Sequence, residues 1–280
     1  MSAADSHRFA YLGPVGTFTE AALNKITCDA DVKIPYANVT AALNAVRTGE
    51  VDYALVPIEN SVEGVVARTL DELATGDPLT ISAEVTLPVT FAFMTKPGAT
   101  EIKKIGTHPH AESQCRTYIA KNYPHAEIVP TSSTSAAAEL VSKGDLDAAI
   151  ASNVAATHFG LEIRAEDIGD NIGAVTRFIA AQKPGWIPEP TGHDRTSMAI
   201  FIAIDHAGAL LEILQVFAKR NVNLTFIQSR PTGRELGHYH FIIDVEGHIN
   251  DSPVGKSIEE LRSICDDIRF LGSYPREVRS

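Results

Sequence analysis

No run in this 280-residue chain approaches the roughly 20 consecutive apolar residues that a membrane-spanning helix needs. The start, Met1-Ser2-Ala3-Ala4-Asp5-Ser6-His7-Arg8, also lacks the apolar core of a secretory leader. Cysteine is scarce: Cys28, Cys115 and Cys265 are odd in number and far apart. That disfavours a disulfide-stapled extracellular domain and fits a reducing cytoplasm. Cys115 lies beside a polar loop, and reads either as a reactive thiol or, more simply, as a small buried residue. Positive charge is short too. With 24 Lys and Arg against 35 Asp and Glu, the formal charge is -11. Nucleic acid and anionic membrane, which demand basic surfaces, are therefore not expected partners. An acidic chain still binds a small anion where Arg, backbone N–H groups and helix N-termini converge.

Apolar residues make up 44% of the chain, enough for a substantial core and more than one domain. The most telling run is Asp52-Tyr53-Ala54-Leu55-Val56-Pro57-Ile58-Glu59-Asn60-Ser61. Buried parallel strands read this way, and ligands of open α/β sheets bind just beyond the carboxyl ends of such strands. The design recurs. A shift of 95 positions lays Ala41-Ala42 on Ala136-Ala137, Ile34-Pro35 on Val129-Pro130, and Gly49-Glu50-Val51-Asp52 on Gly144-Asp145-Leu146-Asp147. Two copies of one strand–helix unit predict two lobes facing a cleft. The competing reading is two ordinary α/β units of similar composition.

Residues 8–182 alternate short apolar runs with helical periodicity, the βαβ signature. Strands are expected at Arg8–Leu12, Val32–Tyr36, Asp52–Pro57, Leu79–Leu87, Lys104–Thr107, Glu127–Pro130, Asp147–Ala151 and Thr176–Ala181. Helices are expected at Phe18–Ile26, Val39–Thr48, Val65–Ala74, Ala111–Lys121, Ser135–Ser142 and Asn153–Phe159. The first lobe should take 1–85 with 170–185, and the second 86–169, within a domain covering 1–185. Residues 186–195 have the Pro- and Gly-rich composition of a linker. Over 196–280, strands at Thr196–Ile204, Val222–Arg230, His238–Val245 and Ile268–Leu271 alternate with helices at Gly208–Arg220 and Ser257–Cys265. The middle strands join through Pro231-Thr232-Gly233. This βαββαβ order predicts a ferredoxin-like module, whose exposed sheet edges favour a homodimer or homotetramer.

Four polar clusters sit at expected strand ends: Gly13-Pro14-Val15-Gly16-Thr17-Phe18-Thr19-Glu20, Pro57-Ile58-Glu59-Asn60-Ser61, Thr107-His108-Pro109-His110-Ala111-Glu112-Ser113-Gln114-Cys115 and Thr176-Arg177-Phe178. In the first, glycine allows close backbone approach to an anion, although Thr17 or Thr19 can equally cap a helix. His108-x-His110 and His238-x-His240 place imidazoles on one face, but no third ligand follows at a recognisable spacing, so no metal is expected.

In order and spacing the four clusters resemble the signature blocks of the prephenate dehydratase family. Downstream, Gly208-Ala209-Leu210 and Ser229-Arg230-Pro231 resemble the effector blocks of that family's ACT domain, so the resemblance runs from Phe9 to Tyr274. It departs twice: Ala174 stands where the family often has Asn, and Gln228 where it usually has Glu. The resemblance implies an α/β fold. A two-lobed catalytic domain, periplasmic-binding-protein-like of type II, precedes a ferredoxin-like ACT domain. It also implies a lyase of phenylalanine biosynthesis, converting prephenate to phenylpyruvate, carbon dioxide and water under allosteric control by L-phenylalanine.

Aromatisation drives that reaction, so no cofactor is expected. The enzyme must hold a dianion, exclude water and donate a proton or hydrogen bond to the departing hydroxyl. By the resemblance Thr176 is that donor, with Asn60 beside it in the catalytic set. Glu59, if buried and protonated, is the rival acid. Arg177 is the expected carboxylate partner, since a guanidinium grips bidentately, or else a structural partner of Glu59 or Asp170. Ser61, Thr107, Gln114, Gly16, Thr17 and Phe178 complete the expected substrate site, Phe178 more by packing than by touch. The expected effector residues are Gly208, Ala209, Leu210, Asn223, Leu224, Gln228, Ser229, Arg230 and Pro231. Arogenate as substrate, or a non-catalytic amino-acid or keto-acid sensor, are the alternatives.

Overall fold

The structure, a computed structural model, describes residues 6–202, 206–231 and 239–277. The chain opens with β1 (Arg8–Leu12), α1 (Phe18–Leu23), β2 (Val32–Tyr36), α2 (Val39–Thr48) and β3 (Tyr53–Asn60), followed by β4 (Gly64–Val65), α3 (Ala67–Thr75) and β5 (Thr80–Pro88). A second set follows: β6 (Ala92–Thr95), β7 (Lys104–Thr107), α4 (Pro109–Ser113), α5 (Arg116–Asn122), β8 (Glu127–Pro130), α6 (Thr134–Lys143), β9 (Ala148–Ala151), α7 (Asn153–Phe159) and β10 (Glu162–Ala165). After β11 (Val175–Gln182) come β12 (Asp194–Phe201), α8 (Ala209–Ala218), β13 (Leu224–Pro231), β14 (Tyr239–Glu246), α9 (Ser252–Ile264) and β15 (Asp267–Pro275).

The 95-residue repeat is physical. In α2, Asn38 Oδ1 accepts the Ala41 N–H at 2.9 Å, and Ala42 and Val46 are fully buried. The helix stops at Gly49, whose N–H reaches the Val46 carbonyl. Helix α6 repeats this design one shift later: Ser133 Oγ accepts the Ala136 N–H at 3.0 Å, Ala137 and Val141 are fully buried, and the Gly144 N–H reaches Val141. Strand order follows the same rule, β2-β1-β3-β11-β5 in one sheet and β8-β7-β9-β6-β10 in the other. The strand beside β3 is the one that returns from the second set, and the strand beside β9 is the one that enters it. Two crossings of this kind define the type II periplasmic-binding-protein-like architecture.

The third sheet has the order β13-β14-β12-β15, antiparallel at every pair. Helices α8 and α9 cover one face around Met198, Ile200, Phe217, Ile243 and Leu261. Each such fully buried side chain contributes about 1.5–3 kcal/mol. By compactness residues 1–42, 55–65 and 85–178 form one unit, and 43–54, 66–84 and 179–280 another. Within the second unit the sheet's other face is covered as well. Arg195 Nη1 bridges Glu84 at 3.1 Å and Asp244 at 3.5 Å, and Ser197 Oγ joins Asp244 and the Tyr274 hydroxyl at 2.6 and 2.7 Å. Gly272, at φ +145, lies so close to Ile81 that a Cβ there would run into the Ile81 backbone. Only glycine lets β15 and β5 approach this closely.

Several expected bounds move. Strand β3 continues to Asn60, because Glu59 and Asn60 pair with Val65 and Gly64 of β4. The expected Ala111–Lys121 helix is two, α4 and α5, broken at Gln114-Cys115. Helix α1 ends at Leu23, while α9 begins five residues earlier than expected, with Pro253 in its first turn. Strands β6 and β10 have no counterpart in the reading above. Asp194 and Arg195, assigned to the linker by composition, begin β12. Asp194 is buried and gathers the N–H groups of Thr191 and Gly192. His238, residues 203–204 and the Thr232-Gly233 turn lie outside the described residues.

Candidate active site

A one-residue step along a strand switches faces, and this decides which signature residues meet. β3 and β11 are neighbours. On one face Asn60 Nδ2 donates to Thr176 Oγ1 at 2.7 Å. On the other, Arg177 Nε lies 3.3 Å from Glu59 Oε2. Asn60 cannot turn over, because its Oδ1 accepts the N–H groups of Val62 and Glu63, each at 2.8 Å. Its amide therefore presents a donor to Thr176 and leaves the Thr176 proton for another acceptor.

Asn60 and Thr176 open into a cavity of about 500 Å³ within the first unit. Leu12, Phe18, Val89 and Phe91 form its apolar wall, with Phe18 and Phe91 edge to face at 5.5 Å. Thr17, His108, His110, Gln114, Ser133 and Thr134 supply polar groups to the same cavity. Thr17 caps α1 through its hydroxyl. Gln114, 7% exposed, donates Nε2–H to Glu63 Oε1 at 3.1 Å, and His110 Nδ1 lies 3.6 Å from Glu63 Oε2. His108 Nδ1 accepts the His110 N–H, and burial first, then His110, holds this imidazole below the ordinary histidine value. Ser133 and Thr134 begin α6, whose first N–H groups have no intrahelical acceptor and favour an anion. No Lys or Arg is among the described residues lining the cavity.

Of the expected site residues, Asn60, Thr176, Gln114 and Thr17 come together. The others do not line the cavity. Arg177 points to the opposite face of β11 and pairs with Glu59, whose side chain is 42% exposed rather than enclosed as a buried acid. Phe178, one position further into the strand, is core. Ser61 pins the strand start instead: its N–H meets the Val175 carbonyl and its Oγ accepts the Val175 N–H, both at 2.9 Å. Thr107 is fully buried and donates to the Ile150 carbonyl at 2.9 Å, tying β7 to β9. Gly16 serves packing; at φ +78 a Cβ would meet Ser135 at 2.9 Å and Ala155 at 3.1 Å, and its carbonyl accepts from Ser152 Oγ. Cys115 is fully buried, and burial with Asp170 nearby pushes its thiol up to about 12. Ala174 contributes its carbonyl, which accepts the Val89 N–H.

Glu63, Ser133, Thr134 and Phe91 line the cavity without having been singled out. The Ser132-Ser133-Thr134 run before an Ala-rich helix was the available signal, since the repeat sets Ser133 on the cap residue Asn38. Among the described residues no cluster of three or more His, Cys, Asp or Glu is placed to hold a metal.

In the second unit, Leu210 and Leu224 pack on the core, Asn223 meets Glu246, and Gly208 precedes α8 at φ +100. Gln228 bonds the Ser229 carbonyl, while Arg230, just before Pro231, turns to Asp71. Of the expected effector residues, Ala209 lines a cavity of about 390 Å³ with Ile202, His206, Glu212 and Cys265.

The fold and site define a class: a two-lobed α/β lyase with an apolar, hydroxyl- and amide-lined cavity, followed by a ferredoxin-like regulatory module. The family description Prephenate dehydratase matches residues 9–185, and that of the ACT domain residues 197–263. This chain belongs to the prephenate dehydratase family. A prephenate dehydratase of Amycolatopsis methanolica is 44% identical over 96% of this chain and 88% of its own length. The crystal structure of a prephenate dehydratase from Arthrobacter aurescens in complex with L-Phe matches at TM-score 0.89 and 49% identity, covering 96% of this chain and 90% of that one. A protein described as a novel type of quorum-quenching acylase, GqqA, matches at TM-score 0.86 with 28% identity, covering 96% and 98%. Fold alone therefore does not fix the reaction.

Proposed function

We propose that the Asn60–Thr176 pair performs the decarboxylating dehydration of prephenate within this cavity. The ring carboxylate leaves as carbon dioxide, its bonding pair enters the ring, and the ring expels the hydroxyl at the far carbon. That hydroxyl takes up a proton and departs as water, leaving aromatic phenylpyruvate. Thr176 supplies the hydrogen bond to the leaving oxygen. A lone threonine is a very weak acid, but here one lone pair is occupied by a fixed amide donor, which favours donation of the remaining proton. This single observation carries the assignment and favours Thr176 over Glu59.

The substrate carboxylates are held by the α6 N-terminus, Ser133, Thr134 and Gln114, with the histidines as further donors. The Phe18–Phe91 wall receives the ring. L-Phenylalanine acts as allosteric effector through the ACT domain; the L-Phe complex of the Arthrobacter relative supports this. The edge strand β13 of the third sheet, exposed at alternate residues, supports a homodimer or homotetramer, and a cytoplasmic location fits a chain in which no described helix is long and apolar enough to cross a membrane.

Purified protein given prephenate or arogenate in parallel tests the reading, with phenylpyruvate and phenylalanine followed as products. Preferential turnover of prephenate supports it. Faster turnover of arogenate reassigns the substrate, and none of either supports a sensor.

A further inference from the structure

Arg230 lies in the block that resembles an effector motif, yet its side chain is committed elsewhere. Nε and Nη2 bind the two Asp71 oxygens at 2.9 and 2.7 Å, a two-pronged geometry that fixes both partners. Asp71 is on α3, and Arg230 is on the edge strand β13. Arg269 of β15 holds the other end of the same helix, donating to the Gly76 carbonyl. His240 lies beside the pair, fully buried and stacked on Phe201 at 5.1 Å, and neither ring nitrogen has a hydrogen-bond partner among the described residues. A stacked ring pair thus lies beside the bridge, and two arginines of the third sheet grip one helix.

That helix is one step from the catalytic pair. α3 begins at Ala67, directly after β4, and β4 closes the hairpin in which Asn60 pairs with Gly64. The N–H groups that orient Asn60 belong to Val62 and Glu63 at the tip of the same hairpin. A displacement of β13 passed to Asp71 would travel along α3 into the hairpin and turn the amide that faces Thr176.

We propose that the Arg230–Asp71 bridge links the regulatory domain to catalysis, with Asp71 relaying the effector's signal to α3 and Arg230 a clasp on that helix rather than a ligand of the effector. This rests on the reading that L-phenylalanine is the effector. It accounts for a charged side chain in an effector motif that faces a helix and not a cavity. Coupling of this kind requires one element with two arrangements that both sites bias, and α3 with its hairpin is that element.

The test uses the full chain with Asp71→Asn, which keeps shape and loses charge. Basal turnover of prephenate should stay within ~3-fold of the parent, while the response to L-phenylalanine weakens ~10-fold or more, within the usual range of allosteric coupling. Calorimetry should still detect L-phenylalanine binding to the variant. Reversing the pair, Asp71→Arg with Arg230→Asp, should restore part of the response. An Asp71→Asn protein with an unchanged response overturns the proposal, as does loss of calorimetric binding in Arg230→Gln alone. Should the parent itself ignore L-phenylalanine in both rate and calorimetry, the effector reading fails instead. Hydrogen exchange at residues 61–66 then decides the link: faster exchange in Asp71→Asn supports it, and identical exchange overturns it.

Discussion

Asn60 Nδ2 stands 2.7 Å from Thr176 Oγ1, although the two residues are 116 positions apart in the chain. Because the amide is locked by two backbone N–H groups, the direction of this bond is fixed. Thr176→Ala should therefore lower kcat by ~10²–10³ while KM changes little, the usual loss when one preorganised donor is removed. Thr176→Ser, which keeps the hydroxyl, should retain most of the rate. Asn60→Asp turns the donor into an acceptor and should cost about as much as Thr176→Ala, although it is nearly isosteric. Steady-state phenylpyruvate formation measures all three; a fully active Asn60→Asp protein would remove the polarising role.

The Arg177–Glu59 pair makes the opposite demand. Arg177 is buried on the far face of β11, and its partner is half exposed. Replacing it with Met should cost stability, about 1–3 kcal/mol given the exposed partner, visible as a lower melting temperature. KM for prephenate should move little. A rise in KM of ~100-fold without loss of stability would return Arg177 to the carboxylate, since a lost charged contact is worth that much.

The alternation that separates these pairs was not legible in Thr176-Arg177-Phe178 as a string. A motif read in one dimension suggests three residues acting together, but a strand sends its neighbours to opposite sides. The same blind spot covers Thr107, which fits a strand end by sequence yet donates to β9. Long elements were readable: α2 matches its expected bounds of Val39–Thr48 because cap, apolar stripe and terminal glycine agree. The repeat exposed both copies of the core design. Glu63 was not legible, because its place in the cavity depends on a hairpin whose partner strand β4 is only two residues long. Nor was the contact of α3 with the third sheet, which joins residues 159 apart.

Thiol chemistry separates the three cysteines. Cys28 is exposed, Cys265 is half buried with its thiol pushed up to about 11, and Cys115 is fully buried and pushed up to about 12. Reactivity follows thiolate population and access. Titration of the native protein with an aromatic disulfide at pH 8 should show one fast thiol, lost in Cys28→Ser, and all three only after denaturation. A fast-reacting Cys115 in the Cys28→Ser protein would contradict its packing.

Acid should loosen the second unit through His240. Burial, with Arg230 and Arg269 adding repulsion against the opposing pull of Asp71, holds this imidazole below the ordinary histidine value. The folded chain therefore resists a proton that the unfolded chain accepts near pH 6.5, about the free histidine value. Its contribution is complete above that pH and is lost as the pH falls toward the lowered folded value. Melting temperatures measured from pH 8 down to 5 should decline below about 6.5. His240→Leu keeps an apolar body against Phe201 and removes the proton site, so its decline should be shallower, with the remainder owed to groups such as His108, which is shifted the same way. Parallel curves for the two proteins would mean that the ring takes up its proton in place, and that the Arg230–Asp71 pair beside it tolerates the charge.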